Sequence, residues 1–160
     1  MRVRSEIVDE LEALYRARYR HFLRIAMLIT RDEERAHDAV QDGFAASLRS
    51  RRMYRGDGPL EAWVWRAVVN AAKKQANESA TSLNVAPASP ADDGARGDER
   101  LRAWIAGLPE RQRMVVYLRY YADLDYRAIA AVLDIRVGTV SATLSAAHRR
   151  LRSELLEVSR

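Results

Sequence analysis

The run LPERQRMVVYLRYYADLDYRAIAAVLDIRVGTVSATLSAAHRRL, residues 108–151, decides the fold of the last third of this chain. Two amphipathic segments, DYRAIAAVL at 125–133 and VGTVSATLSAAHRRL at 137–151, are joined by Asp134-Ile135-Arg136. A tight join between two short amphipathic helices is the layout of a helix-turn-helix, whose second helix can enter a DNA major groove. Ala130 and Ala131 are small where the helices must approach. Ile129, Val132, Leu133 and Ile135 supply the first packing face, and Val140, Leu144, Ala147 and Leu151 the second. Thr139, Ser141, Ala142, Thr143, Ser145 and Ala146 are left to face a groove. The competing reading is a plain helical hairpin; the tight turn and the Gly138-Thr139 start favour the helix-turn-helix. His148, Arg149, Arg150 and Arg152 then form a basic cluster suited either to phosphate contact or to the negative end of the helix dipole.

Composition agrees with a nucleic-acid partner without requiring one. The 160 residues are 48% hydrophobic and 31% charged, with net charge +5 and pI about 9.9: enough to bury a core, stay soluble and favour a polyanion. The absence of cysteine excludes disulfides, thiolate zinc sites and cysteine nucleophiles. His21, His37 and His148 are scattered and lack carboxylates at ligand spacing, so no metal or other cofactor is expected. No nucleophile–base pair or phosphate loop appears, so the chain reads as a non-enzyme. No apolar run reaches the length of a membrane span, and the N-terminus lacks the apolar core of a signal peptide, which places the protein in the cytoplasm.

Charge divides the chain in three. Residues 1–76 carry 15 Lys+Arg against 11 Asp+Glu, residues 77–100 carry 2 against 5, and residues 101–160 carry 10 against 6. The middle stretch, rich in Ala, Ser, Pro, Gly and Asp, reads as a flexible linker between two basic domains. Both domains read as helical, giving an all-α fold. In the first, Leu11, Leu14, Tyr15, Phe22, Ile25, Ala26 and Ile29 share a face and the helix ends near Thr30. Thr30 and Glu33 form a capping-box pattern for a second helix with Ala36, Ala39, Val40, Phe44 and Leu48 inward. After the loop at 53–58, Pro59 opens a third helix packing Leu60, Trp63, Val64, Ala67, Val68 and Ala71. Trp65 falls off that stripe and is free to stack. In the second domain Leu101, Trp104, Ile105 and Leu108 share a face, and Pro109 starts a helix burying Val115, Val116 and Leu118.

LPERQRMVVYLRYYADLDYRAIAAVLDIRVGTV resembles region 4 of the bacterial extracytoplasmic-function (ECF) sigma factors. DAVQDGF at 38–44 and YRGDGPLEAWVWRAVVN at 54–70 are similar to region 2 of the same family. Two motifs in this order, separated by a linker, cover roughly residues 8–76 and 100–155. The resemblance implies that Asp38, Gln41, Asp42 and Phe44 dock on the β′ clamp helices of core RNA polymerase, with region 4 meeting the β flap. It implies that the 53–58 loop captures a flipped base of the minus-ten element, with Tyr54, Arg55, Trp65, Arg66, Asn70, Lys73 and Lys74 serving the melted strand. Thr139, Ser141, Ala142, Thr143, Ser145, His148, Arg149 and Arg150 would meet the minus-thirty-five element. An anti-sigma factor is a further possible partner, and no membrane span is implied.

The chain departs from the family where DNA is read. After Gly-Thr-Val the usual long basic residues are replaced by Ser141, Ala142, Thr143, Ser145 and Ala146. Asp134 stands where Gly is frequent, Lys73-Lys74 where an Asp is frequent, and Gly43 where Ala is usual. Three functions therefore compete: a promoter-specificity factor, a sigma-like protein that binds partners but reads promoters weakly, and a stand-alone helix-turn-helix regulator. The last leaves DAVQDGF unexplained.

Overall fold

Helices account for all the regular structure in the computed structural model, which describes residues 4–79 and 99–159. They are α1 (Arg4–Thr30), α2 (Glu33–Arg49), α3 (Leu60–Ser79), α4 (Glu99–Ala106), α5 (Glu110–Val116), α6 (Tyr126–Leu133) and α7 (Val137–Val158). A 3-10 turn at Arg51–Met53 follows α2, and a π turn at Tyr117–Tyr121 continues α5. Helices α3 and α4 reach into the stretch that composition assigns to the linker, and its centre, residues 80–98, lies outside the described residues. The chain divides into two compact units.

In the first unit α1, α2 and α3 pack pairwise. Phe22, Ile25 and Ala26 of α1 are fully buried, as are Ala36, Ala39 and Val40 of α2 and Val64, Trp65, Val68, Val69 and Ala72 of α3. Aromatic rings meet at the centre: Phe22 lies 5.1 Å from Phe44, edge to face, and 4.0 Å from Trp65. Arg18 Nε on α1 and Trp65 Nε1 on α3 both donate to Glu61 Oε1, at 3.0 and 3.3 Å, which ties the two helices together through one carboxylate.

The α1–α2 corner differs from the capping box expected at Thr30. The Thr30 hydroxyl donates to the Ala26 carbonyl of its own helix at 2.9 Å and accepts from the Asp32 amide at 3.4 Å, ahead of the first turn of α2. Arg31 takes a left-handed φ of 56° and reverses the chain. Asp32 then occupies the N-cap in extended geometry, and its carboxylate accepts from the Arg35 amide at 2.8 Å. An aspartate is as good a cap as threonine and its charge also favours the positive end of the helix.

The inward face of α2 is rotated from the one expected. Steps of four residues advance about 40° around a helix of 3.6 residues per turn. The series Ala36, Val40, Phe44, Leu48 therefore drifts from the core to its edge: Phe44 is still 9% exposed, but Leu48 is 43% exposed. Gly43 and Ser47 take the inward positions. Gly43 permits a close helix crossing, since a Cβ there would stand 2.6–2.8 Å from Cγ2, Cα and N of Val68 on α3. A side-chain methyl can move aside; backbone atoms of a packed helix cannot without moving α3.

In the second unit α5 packs on α7. Leu108, Met114, Val115, Leu118, Leu124, Ile129, Val140, Leu144 and Ala147 are buried. Leu101, expected on the packed face of α4, is 44% exposed. Asp125 caps α6 by accepting from the Ala128 amide at 2.8 Å. Asp134 closes α6 in the left-handed region (φ 53°, ψ 50°), and the amides of Asp134 and Ile135 both donate to the Ala130 carbonyl. This is a C-terminal cap usually made by glycine; the short polar aspartate side chain tolerates it. The chain turns by 102° between α6 and α7, within the range of a helix-turn-helix. Among the described residues no single helix is long and apolar enough to cross a membrane.

The glycine packing generates a test against intrinsic propensity. Gly43→Ala should destabilise the protein by about 1–3 kcal/mol through overpacking, although alanine is favoured by about 1 kcal/mol in a helix interior. Chemical denaturation measures this; an increase in stability would show that α2 and α3 do not approach closely at this point.

Candidate nucleic-acid and partner interface

The outward face of α2 follows from the inward one. With Ala36, Ala39, Val40, Gly43 and Ser47 buried, Asp38, Gln41 and Asp42 are exposed together, and Leu48 and Arg49 continue the same side of the helix. A polar and acidic strip ending in an exposed leucine is suited to a protein partner that offers both cations and apolar surface. Phe44, assigned to this surface from sequence, belongs instead to the core: its ring packs edge to face on Tyr15 at 5.0 Å and on Phe22. It holds α2 in place and presents no side-chain face to a partner. Beside the strip, the Tyr19 hydroxyl pairs with His37 Nδ1, and His37 Nε2 lies 3.9 Å from Glu33. Burial first, and Tyr15 second, hold the Tyr19 phenol above its usual pKa.

On α3 the structure reverses the roles expected of the two tryptophans. Trp65 is fully buried, its ring against Phe22 and its N–H on Glu61. It has no free face for a base to stack on. Trp63 is half-buried at the edge of the helix and lies 5.5 Å from Tyr54, whose hydroxyl donates to the Gly58 carbonyl. Gly56, at φ 77°, provides the left-handed residue that the loop requires. Around α3, Trp63, Arg66, Asn70, Lys73 and Lys74 fall within about a third of the helix circumference at 100° per residue, and the last four are exposed. The result is a cationic strip about 16 Å long with aromatic rings and the exposed Arg55 at its N-terminal end. Successive bases stack on aromatic rings while cations track phosphates, which is the chemistry of single-strand binding. A shallow groove between α2 and α3 is lined by Asp42, Arg49, Asn70, Lys74 and Glu78, so the two sets of candidates share a wall.

The third surface is α7. Val140, Leu144 and Ala147 are buried, as the spacing predicts. Ser141, Ala142 and Ser145 are exposed; Thr139, Thr143 and Ala146 are half-buried at the edges of the same face. His148, Arg149, Arg150 and Arg152 are exposed beyond them. His148 is anchored: its Nε2 lies 2.9 Å from the hydroxyl of Tyr120, which the π turn projects outward. Tyr120 escapes sequence reasoning because a π turn shifts the helical phase by one residue. Trp63 and Leu48 escape it too, since burial phase is the only signal for either.

Comparison with known proteins places these surfaces in a family. Residues 14–80 match the model of sigma-70 region 2, and residues 98–151 match that of sigma-70 region 4. The chain is similar to the ECF RNA polymerase sigma-E factor of Escherichia coli (strain K12), with 29% identity over 86% of this chain and 83% of the relative. It is also similar to the ECF RNA polymerase sigma factor SigM of Mycobacterium tuberculosis, with 27% identity over 88% of this chain and 74% of the relative. Among solved structures, sigma factor RpoE of Bartonella quintana, in complex with the anti-sigma factor NepR, matches with TM-score 0.70 and 24% identity, over 97% of this chain and 99% of that one. CnrH, in complex with the cytosolic domain of CnrY, matches with TM-score 0.65 and 21% identity, over 94% and 89%. With the two regions matched in family order and the relatives aligned across most of its length, the chain belongs to the extracytoplasmic-function sigma factors of the sigma-70 family.

Proposed function

We propose that each of the three surfaces has one role in transcription initiation. The α2 strip of Asp38, Gln41 and Asp42, extended by Leu48, docks on the β′ clamp helices of core RNA polymerase, and the second unit meets the β flap. The loop at 53–58 and the α3 strip hold the unpaired minus-ten strand, with Trp63 in the stacking role and Arg66, Asn70, Lys73 and Lys74 along the backbone. Helix α7 lies on the minus-thirty-five element, and residues 77–100 connect the two domains. The chain acts by binding, in the cytoplasm where polymerase works, and leaves the chemistry to polymerase. An anti-sigma factor would compete for the α2 and α3 faces. What carries this reading is the helical phase: one rotation of α2 and α3 buries their apolar residues and puts both polar strips outside.

A second reading, a sigma-like partner protein with weak promoter recognition, draws on one observation. No residue of α7 from Val137 to Ala147 carries a charge.

Asp38→Arg combined with Gln41→Ala should weaken binding to core polymerase at least about tenfold, with stability unchanged within about 0.5 kcal/mol, as for surface changes generally. Unaltered affinity in a core-binding titration removes α2 as the docking face. Arg149→Ala with Arg150→Ala should make the salt dependence of upstream-element binding shallower, by about 0.9 log units for each phosphate no longer neutralised. An unchanged slope would leave these arginines only their helix-dipole role. The tryptophans separate cleanly: Trp65→Ala should cost about 3–5 kcal/mol of stability. Trp63→Ala should preserve the fold and lower holoenzyme affinity for a minus-ten single strand by about 1–3 kcal/mol. Equal affinities of Trp63→Ala and the parent would remove the stacking assignment.

A further inference from the structure

We infer that α7 reads its upstream element chiefly through thymine methyls, and makes no paired-donor contact to guanine. This rests on the proposal that α7 is the promoter-reading helix. Guanine is recognised in the major groove chiefly by paired donors of Arg or Lys, adenine by Asn or Gln, and the thymine methyl by Ala or Thr methyl groups. Between Val137 and Ala147 there is no Arg, Lys, Asn or Gln. The exposed groups over that stretch are the Val137 side chain, 44% exposed, the Ala142 methyl, and the Ser141 and Ser145 hydroxyls. Only methyl contacts and single hydroxyl hydrogen bonds are available to the base edges.

Two further observations agree. The cations bracket the uncharged run: Arg136 precedes it and Arg149 follows it, both exposed. At 1.5 Å per residue they stand roughly 20 Å apart along the axis, more than the roughly 12 Å width of the major groove. That spacing suits cations on the phosphate walls with the uncharged turns between them on the bases. Gly138 is the second. It is exposed and does not adopt a left-handed φ, and a Cβ there would meet nothing within 4 Å. Neither backbone conformation nor packing among the described residues calls for glycine here, in contrast to Gly43. Its missing side chain leaves room on the face that would lie in the groove, next to Val137 and Ala142.

The test uses holoenzyme reconstituted from the full chain and core polymerase. A duplex promoter library randomised across the upstream element is selected for binding, and the selected site is then resynthesised with deoxyuridine replacing thymidine one position at a time. The expected selection is rich in A·T pairs, with affinity falling about fourfold for each recognised methyl removed. Ala142→Ser should bring the thymidine-to-deoxyuridine ratio at one position close to one, while Gly138→Ala should weaken binding to every sequence without lowering the melting temperature. Selection of invariant guanines, or indifference to deoxyuridine at every position, overturns the inference while leaving α7 as the promoter-reading helix. A library that emerges without any upstream preference overturns that assignment and this inference with it.

Discussion

At the crossing of α2 and α3, the backbone of Val68 occupies the space where a Cβ on residue 43 would have to sit. This steric constraint fixes how far apart the two helices lie and, more consequentially, how each is rotated. With Gly43 turned inward, Ala36, Ala39, Val40 and Ser47 must follow it, and Asp38, Gln41 and Asp42 must face out. With Val68 turned inward, Val64, Trp65 and Ala72 go with it, while Arg66, Asn70, Lys73 and Lys74 remain in solvent. The helix-propensity cost of a mid-helix glycine, about 1 kcal/mol, is offset by the close packing it allows. A rotation of α2 by one residue would bury a carboxylate and expose the aromatic cluster around Phe22, so the exposed acidic strip and the core are set by the same crossing.

The second unit solves a different geometric problem. Its two last helices must meet at a steep angle across a very short turn, and the left-handed Asp134 provides the reversal while its amide and that of Ile135 close α6 on the Ala130 carbonyl. The buried stripe of α7 then leaves an outer face that changes character along its length, from methyls and hydroxyls over the first turns to Arg149, Arg150 and Arg152. The Tyr120–His148 hydrogen bond sits at that transition. Charged and uncharged surface are thus separated along one helix; on the proposed role of α7, that separation lets affinity and sequence preference be altered independently.

Much of this is legible from residue types alone. The two helical domains, the helix-turn-helix, the end of α1 near Thr30 and the buried stripe of α7 follow from apolar spacing, and the tolerance of Asp134 for a left-handed turn follows from its short polar side chain. Expectation and structure part where a choice of phase between neighbouring residues decides the outcome. Leu48 lies four residues past Phe44 and looks inward by spacing, yet cumulative drift around the helix carries it out. Trp63 and Trp65 differ by about 200° around α3, and only the position of Val68 against α2 determines which is buried. Thr30 does not cap α2 because the left-handed Arg31 turns the chain after it and puts Asp32 at the N-cap. Gly43 looks like a defect in sequence because the backbone it accommodates lies 25 residues away.

The central claim is that this chain confers promoter specificity on polymerase, and run-off transcription from genomic DNA with reconstituted holoenzyme tests it most directly. The expected result is a discrete set of transcripts that core polymerase alone does not produce, with start sites sharing an upstream and a minus-ten element. Holoenzyme that assembles normally yet yields only the transcripts of core polymerase would contradict it.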